Sequence, residues 1–167
     1  MRTITLNGKI LTLVGTEVKV GERAAEFTAT NQDMKDVKLS DFKGKIKVIA
    51  SFPSLDTPVC DLQVKEFNKR SAAFSPDVVV IGISKDLPFA IKRFCSENSI
   101  KNVVLSDYKS GSFGTNYGLL IDELKLLARA VLIVDTDDTI RYIQVVPEIA
   151  TQPDYDAALT TLGSIAK

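Results

Sequence analysis

Apolar and polar residues alternate through Thr3 to Leu6 and again through Lys9 to Leu13, on either side of Asn7-Gly8. Asn-Gly suits the two positive-φ positions of a type I′ turn, so the segment predicts a β-hairpin. A two-residue loop pairs Leu6 with Lys9 and Ile4 with Leu11. Ile4, Leu6 and Leu11 then share one side, and Thr3, Thr5 and Thr12 the other. A hairpin with one apolar face needs something to cover. Further on, Glu26 to Thr30 reads as a short strand and Val37 to Phe42 as a strand remnant. Ile46 to Phe52 is a more apolar strand. After it the period changes: Val64, Phe67, Ser71 and Phe74 recur at helical spacing among Lys65, Glu66, Lys69 and Arg70. Ser75-Pro76-Asp77 ends that helix, and Val78 to Ile83 is the β-branched run of a strand buried on both faces. Strand, helix and strand make a parallel βαβ unit, right-handed by strong preference.

From Leu87-Pro88 a second helix carries Ala90, Ile91 and Phe94, with Cys95 toward its C-terminal half. Val103 to Leu105 predicts a strand, Ser112 to Tyr117 a helical turn ended by Gly118, and Ala130 to Asp135 a buried strand. Asp135-Thr-Asp-Asp138 turns the chain into Ile140 to Val146 as an antiparallel hairpin. A last helix runs from about Asp154 to Leu162, with Tyr155, Ala158, Leu159 and Leu162 on one face. The periodicity therefore predicts an α/β protein.

The chain has 167 residues, 45% of them hydrophobic and 25% charged, the make-up of one globular domain over residues 1–167. Lys plus Arg equals Asp plus Glu at 21 each, so no global field attracts nucleic acid or an anionic membrane. No apolar run reaches membrane-spanning length, and the N-terminus lacks the apolar region and cleavage site of a secretion signal, so a cytoplasmic location is expected. A processed secreted chain would look the same. Gly44-Lys45 lacks the earlier glycine of a phosphate loop, and Gly111 and Gly114 do not fit the dinucleotide pattern. No cofactor is expected. The Asp135 to Asp138 cluster lacks the glycine-containing loop and distal Glu of a calcium site, so it reads as a solvated turn and no metal is expected.

The chain has no histidine, which excludes a Cys-His hydrolase, and no Cys-x-x-Cys, which argues against a thioredoxin-type disulfide reductase. Two cysteines are too few for a disulfide scaffold, so their interest is chemical unless they are merely small buried apolar residues. Cys60 has the stronger case. Thr57 suits an N-cap and Pro58 the first helical position. Cys60 then falls in the turn whose N–H groups are unsatisfied, which favours a thiolate. Ionising a thiol fully gains only about 30-fold at neutral pH. Enzymes reach accelerations of roughly a millionfold or more. A fast thiol enzyme needs further groups to hold substrate and stabilise moving charge. Thr57 offers a hydroxyl. Arg129, between the apolar runs Leu126–Ala128 and Ala130–Val134, is costly there unless it is paired or reaches water.

Pro53-x-x-x-Thr57-x-x-Cys60 after a strand resembles the active-site signature of the peroxiredoxins. Ser54-Leu-Asp-Thr-Pro-Val-Cys60, Asp86-Leu-Pro-Phe-Ala90, Arg93-Phe-Cys95 and Leu127-Ala-Arg129-Ala resemble their thiol peroxidase branch, over most of the chain. Many peroxiredoxins carry Glu three residues after the cysteine. Here that residue is Gln63, so the role of Glu does not carry over. The resemblance implies a thioredoxin-like fold, with the N-terminal β-hairpin beside a central mixed sheet flanked by helices. It implies an atypical two-cysteine enzyme in which Cys60 attacks a hydroperoxide and becomes a sulfenic acid, and Cys95 resolves it within the chain. Pro53 would shield the thiolate, and Arg129 would stabilise it and orient the peroxide. Expected partners are hydrogen peroxide or organic hydroperoxides as substrate, thioredoxin as reductant and a second copy in a homodimer. The alternative is a non-enzymatic thioredoxin-like module in which oxidation of Cys60 changes a surface read by a partner.

Overall fold

A computed structural model describes residues 2–165. The N-terminal hairpin comprises β1 (Thr3–Leu6) and β2 (Lys9–Val14), in the expected register of Ile4 with Leu11 and Leu6 with Lys9. Its turn has φ +50° at Asn7 and +84° at Gly8, the positive-φ pair that Asn-Gly accommodates in a type I′ turn. Ile4, Leu11 and Leu13 are buried, while Leu6 is only half-buried. Next come β3 (Thr28–Thr30) and β4 (Asp36–Lys38). The expected strand remnant ends early, because Leu39–Phe42 turns into a short 3-10 helix.

The βαβ unit is β5 (Ile46–Ser51), α1 (Pro58–Ser71) and β6 (Val78–Ser84), with β5 and β6 parallel. Then follow α2 (Pro88–Glu97), β7 (Val103–Ser106) and α3 (Ser112–Tyr117). Gly118 ends α3 in the left-handed conformation at φ +64°, where a Cβ would also meet the Glu17 N and Thr16 C backbone atoms at 3.0 Å, so a side chain there would be strained. Two short strands that the apolar pattern did not predict, β8 (Leu120–Ile121) and β9 (Leu126–Leu127), precede β10 (Ala130–Val134), β11 (Ile140–Val145) and α4 (Tyr155–Ile165).

The strands form a seven-stranded sheet in the order β11-β10-β5-β6-β7-β3-β4, with β5, β6 and β7 parallel and the other pairings antiparallel. β8 and β9 extend the hairpin edge to edge into a four-stranded sheet, β1-β2-β8-β9, whose apolar residues Ile4, Leu11 and Leu13 join the core around Ile49, Phe113 and Tyr117. Strand side chains alternate between faces, so neighbouring residues of β5 enter different cores. Val48 and Ala50 pack with Phe67, Ala158 and Leu162, whereas Ile49 packs with Phe113, Tyr117 and the hairpin. Burial on both faces is why β5, β6 and β10 read as nearly continuous apolar runs. A third cluster, around Phe52, Val64, Ile91 and Val104, holds both cysteines.

Candidate active site

β5 ends at Ser51, and the chain passes through buried Phe52 and Pro53 before α1 begins at Pro58. Thr57 has the extended backbone of an N-cap, and the Asp61 N–H donates to its carbonyl at 3.0 Å. Its hydroxyl, however, makes no cap bond. It turns back to donate to the Ser54 carbonyl at 2.9 Å, which tightens the loop instead of satisfying the helix. Cys60 sits in the first turn of α1, at 0% exposure.

The register of β10 against β5 brings the cation to it. Ala130 pairs with Ser51, so the preceding residue, Arg129, lies just past the end of β5 and over the start of α1. Arg129 is 2% exposed, so it does not reach water. Its Nη2 donates to Cys60 Sγ at 3.2 Å, Nη1 to Gln63 Oε1 at 2.6 Å and Nε to the Ile149 carbonyl at 2.9 Å. Gln63 Nε2 in turn donates to the Ser51 carbonyl at 3.2 Å. Among the described residues no carboxylate pairs with Arg129. A buried guanidinium is costly unless an anion faces it. The one group in contact that can become an anion is the Cys60 thiol.

Sequence reasoning missed Gln63 as a site residue. It lies three residues after Cys60, the spacing at which helical side chains share a face, and that signal was available. The Ile149 carbonyl left no such trace, because a backbone acceptor is set by the path of a loop.

Pro53, Thr57, Leu126, Ile149 and Arg129 border a pocket of about 220 Å³, which Leu6, Val59 and Leu124 make largely apolar. A larger cleft of about 780 Å³ lies between α1 and α4 around Phe74 and Leu159, away from both cysteines. Cys95, on α2, is 5% exposed and not bonded to Cys60, although the two share one apolar cluster. Burial pushes its thiol up to about 11, opposed by a hydrogen bond from the Gln32 side chain. The Asp135–Asp138 turn is engaged in ion pairs: Asp135 with Arg141 at 3.0 Å and Asp138 with buried Lys47 at 2.8 Å. No group of three or more acidic or cysteine side chains is placed to hold a metal among the described residues.

A family model described as Redoxin matches residues 19–159. The chain is 44% identical to the thiol peroxidase of Oceanobacillus iheyensis over 164 residues, covering 98% of this chain and 99% of the relative. It is 43% identical to that of Staphylococcus saprophyticus over 166 residues, covering 99% and 100%. A solved peroxiredoxin-like protein from Aquifex aeolicus superposes with a TM-score of 0.92 at 40% identity, over 99% of this chain and 98% of that one. A thiol peroxidase structure from Chromobacterium violaceum, 21% identical, shares the fold with a TM-score of 0.88 over 97% and 95%. The architecture is thus the thioredoxin-like one that the sequence motifs implied. Since the match runs through the strand, helix start and Arg129 segment that build the thiol site, the chain belongs to the redoxin family, within its thiol peroxidase branch.

Proposed function

We propose that this thiol-dependent peroxidase reduces hydroperoxides at Cys60 and closes its cycle through an intramolecular Cys60–Cys95 disulfide. The observation that carries the reading is the buried Arg129 guanidinium 3.2 Å from Cys60 Sγ with no carboxylate paired to it among the described residues, so its positive charge faces the sulfur that reacts. The thiolate attacks the terminal oxygen of the hydroperoxide. The O–O bond breaks, the leaving oxygen takes a proton and departs as water or an alcohol, and Cys60 becomes a sulfenic acid. Arg129 faces the sulfur and borders the pocket, so its charge can serve both the thiolate and the oxygen that gains electrons. Thr57 and Pro53 border the same pocket, Thr57 as a polar group for the peroxide and Pro53 as a shield from water.

Cys95 then condenses with the sulfenic acid, and a dithiol donor, thioredoxin in this reading, returns both thiols. The apolar pocket supports organic hydroperoxides as substrates beside hydrogen peroxide. Residues 1–167 are taken as one thioredoxin-like domain, working in antioxidant defence as a cytoplasmic homodimer. No described helix is long and apolar enough to cross a membrane. The non-enzymatic sensor is not favoured, because relatives matched almost end to end are thiol peroxidases.

Turnover with thioredoxin, thioredoxin reductase and NADPH tests the reading. Continuous NADPH consumption is expected with hydrogen peroxide and with cumene hydroperoxide. A single stoichiometric oxidation without turnover would favour the sensor. Sedimentation showing only monomer at micromolar concentration would remove the homodimer.

A further inference from the structure

Asp86 lies in the loop between β6 and α2, and the chemistry above makes no use of it. Its carboxylate ties down the segment that leads to Cys60. Oδ1 accepts from Ser54 Oγ at 2.7 Å, and Oδ2 accepts from the Leu55 N–H at 2.9 Å and from Ser84 Oγ at 2.7 Å. The backbone of Asp86 is anchored as well: its N–H donates to Ser84 Oγ at 3.2 Å, and Ser106 Oγ donates to its carbonyl. Two residues further on, Pro88 opens α2, the helix that carries Cys95. One side chain therefore joins the loop before the first thiol to the base of the helix bearing the second.

Both thiols are buried and unbonded, and Cys60 is engaged by Arg129. For a disulfide to form, the sulfenic S–O bond breaks, an S–S bond forms, and the hydroxyl leaves with the Cys95 proton as water. Cys60 must therefore leave Arg129 while α2 loosens enough to present Cys95. The first motion displaces Ser54 and Leu55, and the second displaces the loop that holds Asp86. The burial that keeps the Cys95 thiol protonated also lasts until α2 opens.

We propose that Asp86 is a positioning residue that latches the oxidised site shut. Its bonds to Ser54 and Leu55 hold the Cys60 loop against the α2 base, and their release gates disulfide formation. This rests on the peroxidase reading above. While the latch holds, the sulfenic acid is exposed to a second peroxide, so Asp86 also sets how readily Cys60 passes to the sulfinic form.

The test mixes reduced protein with one equivalent of hydrogen peroxide, quenches in acid at successive times, alkylates free thiols and measures thiol, sulfenic and disulfide forms by mass spectrometry. The chain has no tryptophan to report the steps by its fluorescence. Asp86→Asn keeps the side-chain size but leaves one amide oxygen for three donors and turns the other position into an N–H donor. Ser54→Ala removes the bond to Asp86 Oδ1, together with the one Ser54 Oγ accepts from the Asp56 N–H at 3.1 Å, and spares the Leu55 contact, so it serves if Asp86→Asn folds poorly. In Asp86→Asn, disulfide formation should quicken about tenfold, the scale of one lost hydrogen bond to a charged group. The initial loss of thiol should be nearly unchanged, and the peroxide needed to reach the sulfinic form should rise in proportion. Ser54→Ala should move the same way by less. Unchanged or slower disulfide formation in both folded variants would overturn the latch, as would equal slowing of both steps, the sign of a merely structural role. A wild type that loses no thiol to peroxide would instead sink the peroxidase reading, and the latch with it.

Discussion

Arg129 at 2% exposure has three hydrogen-bond partners, and only Cys60 among them can carry the balancing charge. Arg129→Met should therefore slow the first oxidation of Cys60 on the order of 10²-fold, the usual scale for removing one preorganised donor. Stopped-time thiol counting would reveal it, and an unchanged rate would mean that the guanidinium serves packing alone. The two thiols should divide the work. Cys60→Ser should abolish peroxide reduction, since a serine hydroxyl forms no sulfenic acid. Cys95→Ser should consume about one equivalent in a rapid first turnover and then stall with thioredoxin as donor, leaving a trappable sulfenic acid. Full steady-state turnover by Cys95→Ser, or a disulfide between chains, would contradict the pairing. The raised thiol of Cys95 adds a pH dependence. Its folded value of about 11 exceeds the ordinary 9.0, so the stabilisation from keeping it neutral is fully present below about pH 9 and lost as pH rises through about 11. Alkylation at neutral pH should spare Cys95 in the folded reduced protein, and the alkaline loss of stability over that window should be smaller in Cys95→Ser.

At the scale of elements, the segment after β11 ties the N-terminal hairpin to the site. Val146 N–H donates to the Arg129 carbonyl at 2.9 Å, Ile149 N–H to the Thr5 carbonyl at 2.8 Å, and the Ile149 carbonyl accepts from Arg129 Nε. Glu148 secures this corner. Its carboxylate accepts from the Ala150 N–H at 2.9 Å, the Gly8 N–H at 3.1 Å and Thr5 Oγ1 at 3.2 Å, and the Ala150 bond above all holds its pKa below the ordinary value. The depressed value means that the stabilisation is present above the ordinary Glu range and lost as pH falls through the folded pKa. Glu148→Gln should remove that acid dependence and speed hydrogen exchange at Gly8 and Ala150 several-fold. Exchange at both amides identical to wild type would show that the corner holds without the carboxylate.

Across the whole molecule, β5 is the hub: β6 and β10 flank it, and its two faces enter opposite cores. Lys47 at the start of this strand is fully buried, and its ammonium meets Asp138 at 2.8 Å in the turn between β10 and β11. Asp138 is partly exposed and also faces Arg23 at 3.5 Å, so its charge is not stranded when the lysine is removed. Breaking a fully buried pair costs about 3–5 kcal/mol. With Asp138 still solvated, Lys47→Met should cost less, about 1–3 kcal/mol in urea unfolding. The rate of Cys60 oxidation should be preserved, because the pair lies at the opposite end of β5 from Ser51. A loss of oxidation rate without loss of stability would contradict that separation.

Local patterns were legible wherever one residue's neighbours in sequence are its neighbours in space. The Asn7-Gly8 turn set the hairpin register, Pro58 marked the start of α1, and the Val- and Ile-rich runs marked strands buried on both faces, all before any tertiary contact was considered. The two-residue strands β8 and β9 carry no measurable period, and it is the open edge of β2, a distant partner in sequence, that gives β8 a ladder to join. The direction of the Thr57 hydroxyl depended on the fold of its loop, where the Ser54 carbonyl came within reach before any helix N–H. Chain pattern showed only that Arg129 needed a partner or water. Which one it found followed from the alignment of Ala130 with Ser51, since a one-residue slip would turn its side chain to the other face of the sheet. Residue types thus determined which groups were available for thiol chemistry, and long-range strand register decided which of them meet, because register is a contest among distant pairings that no local window contains.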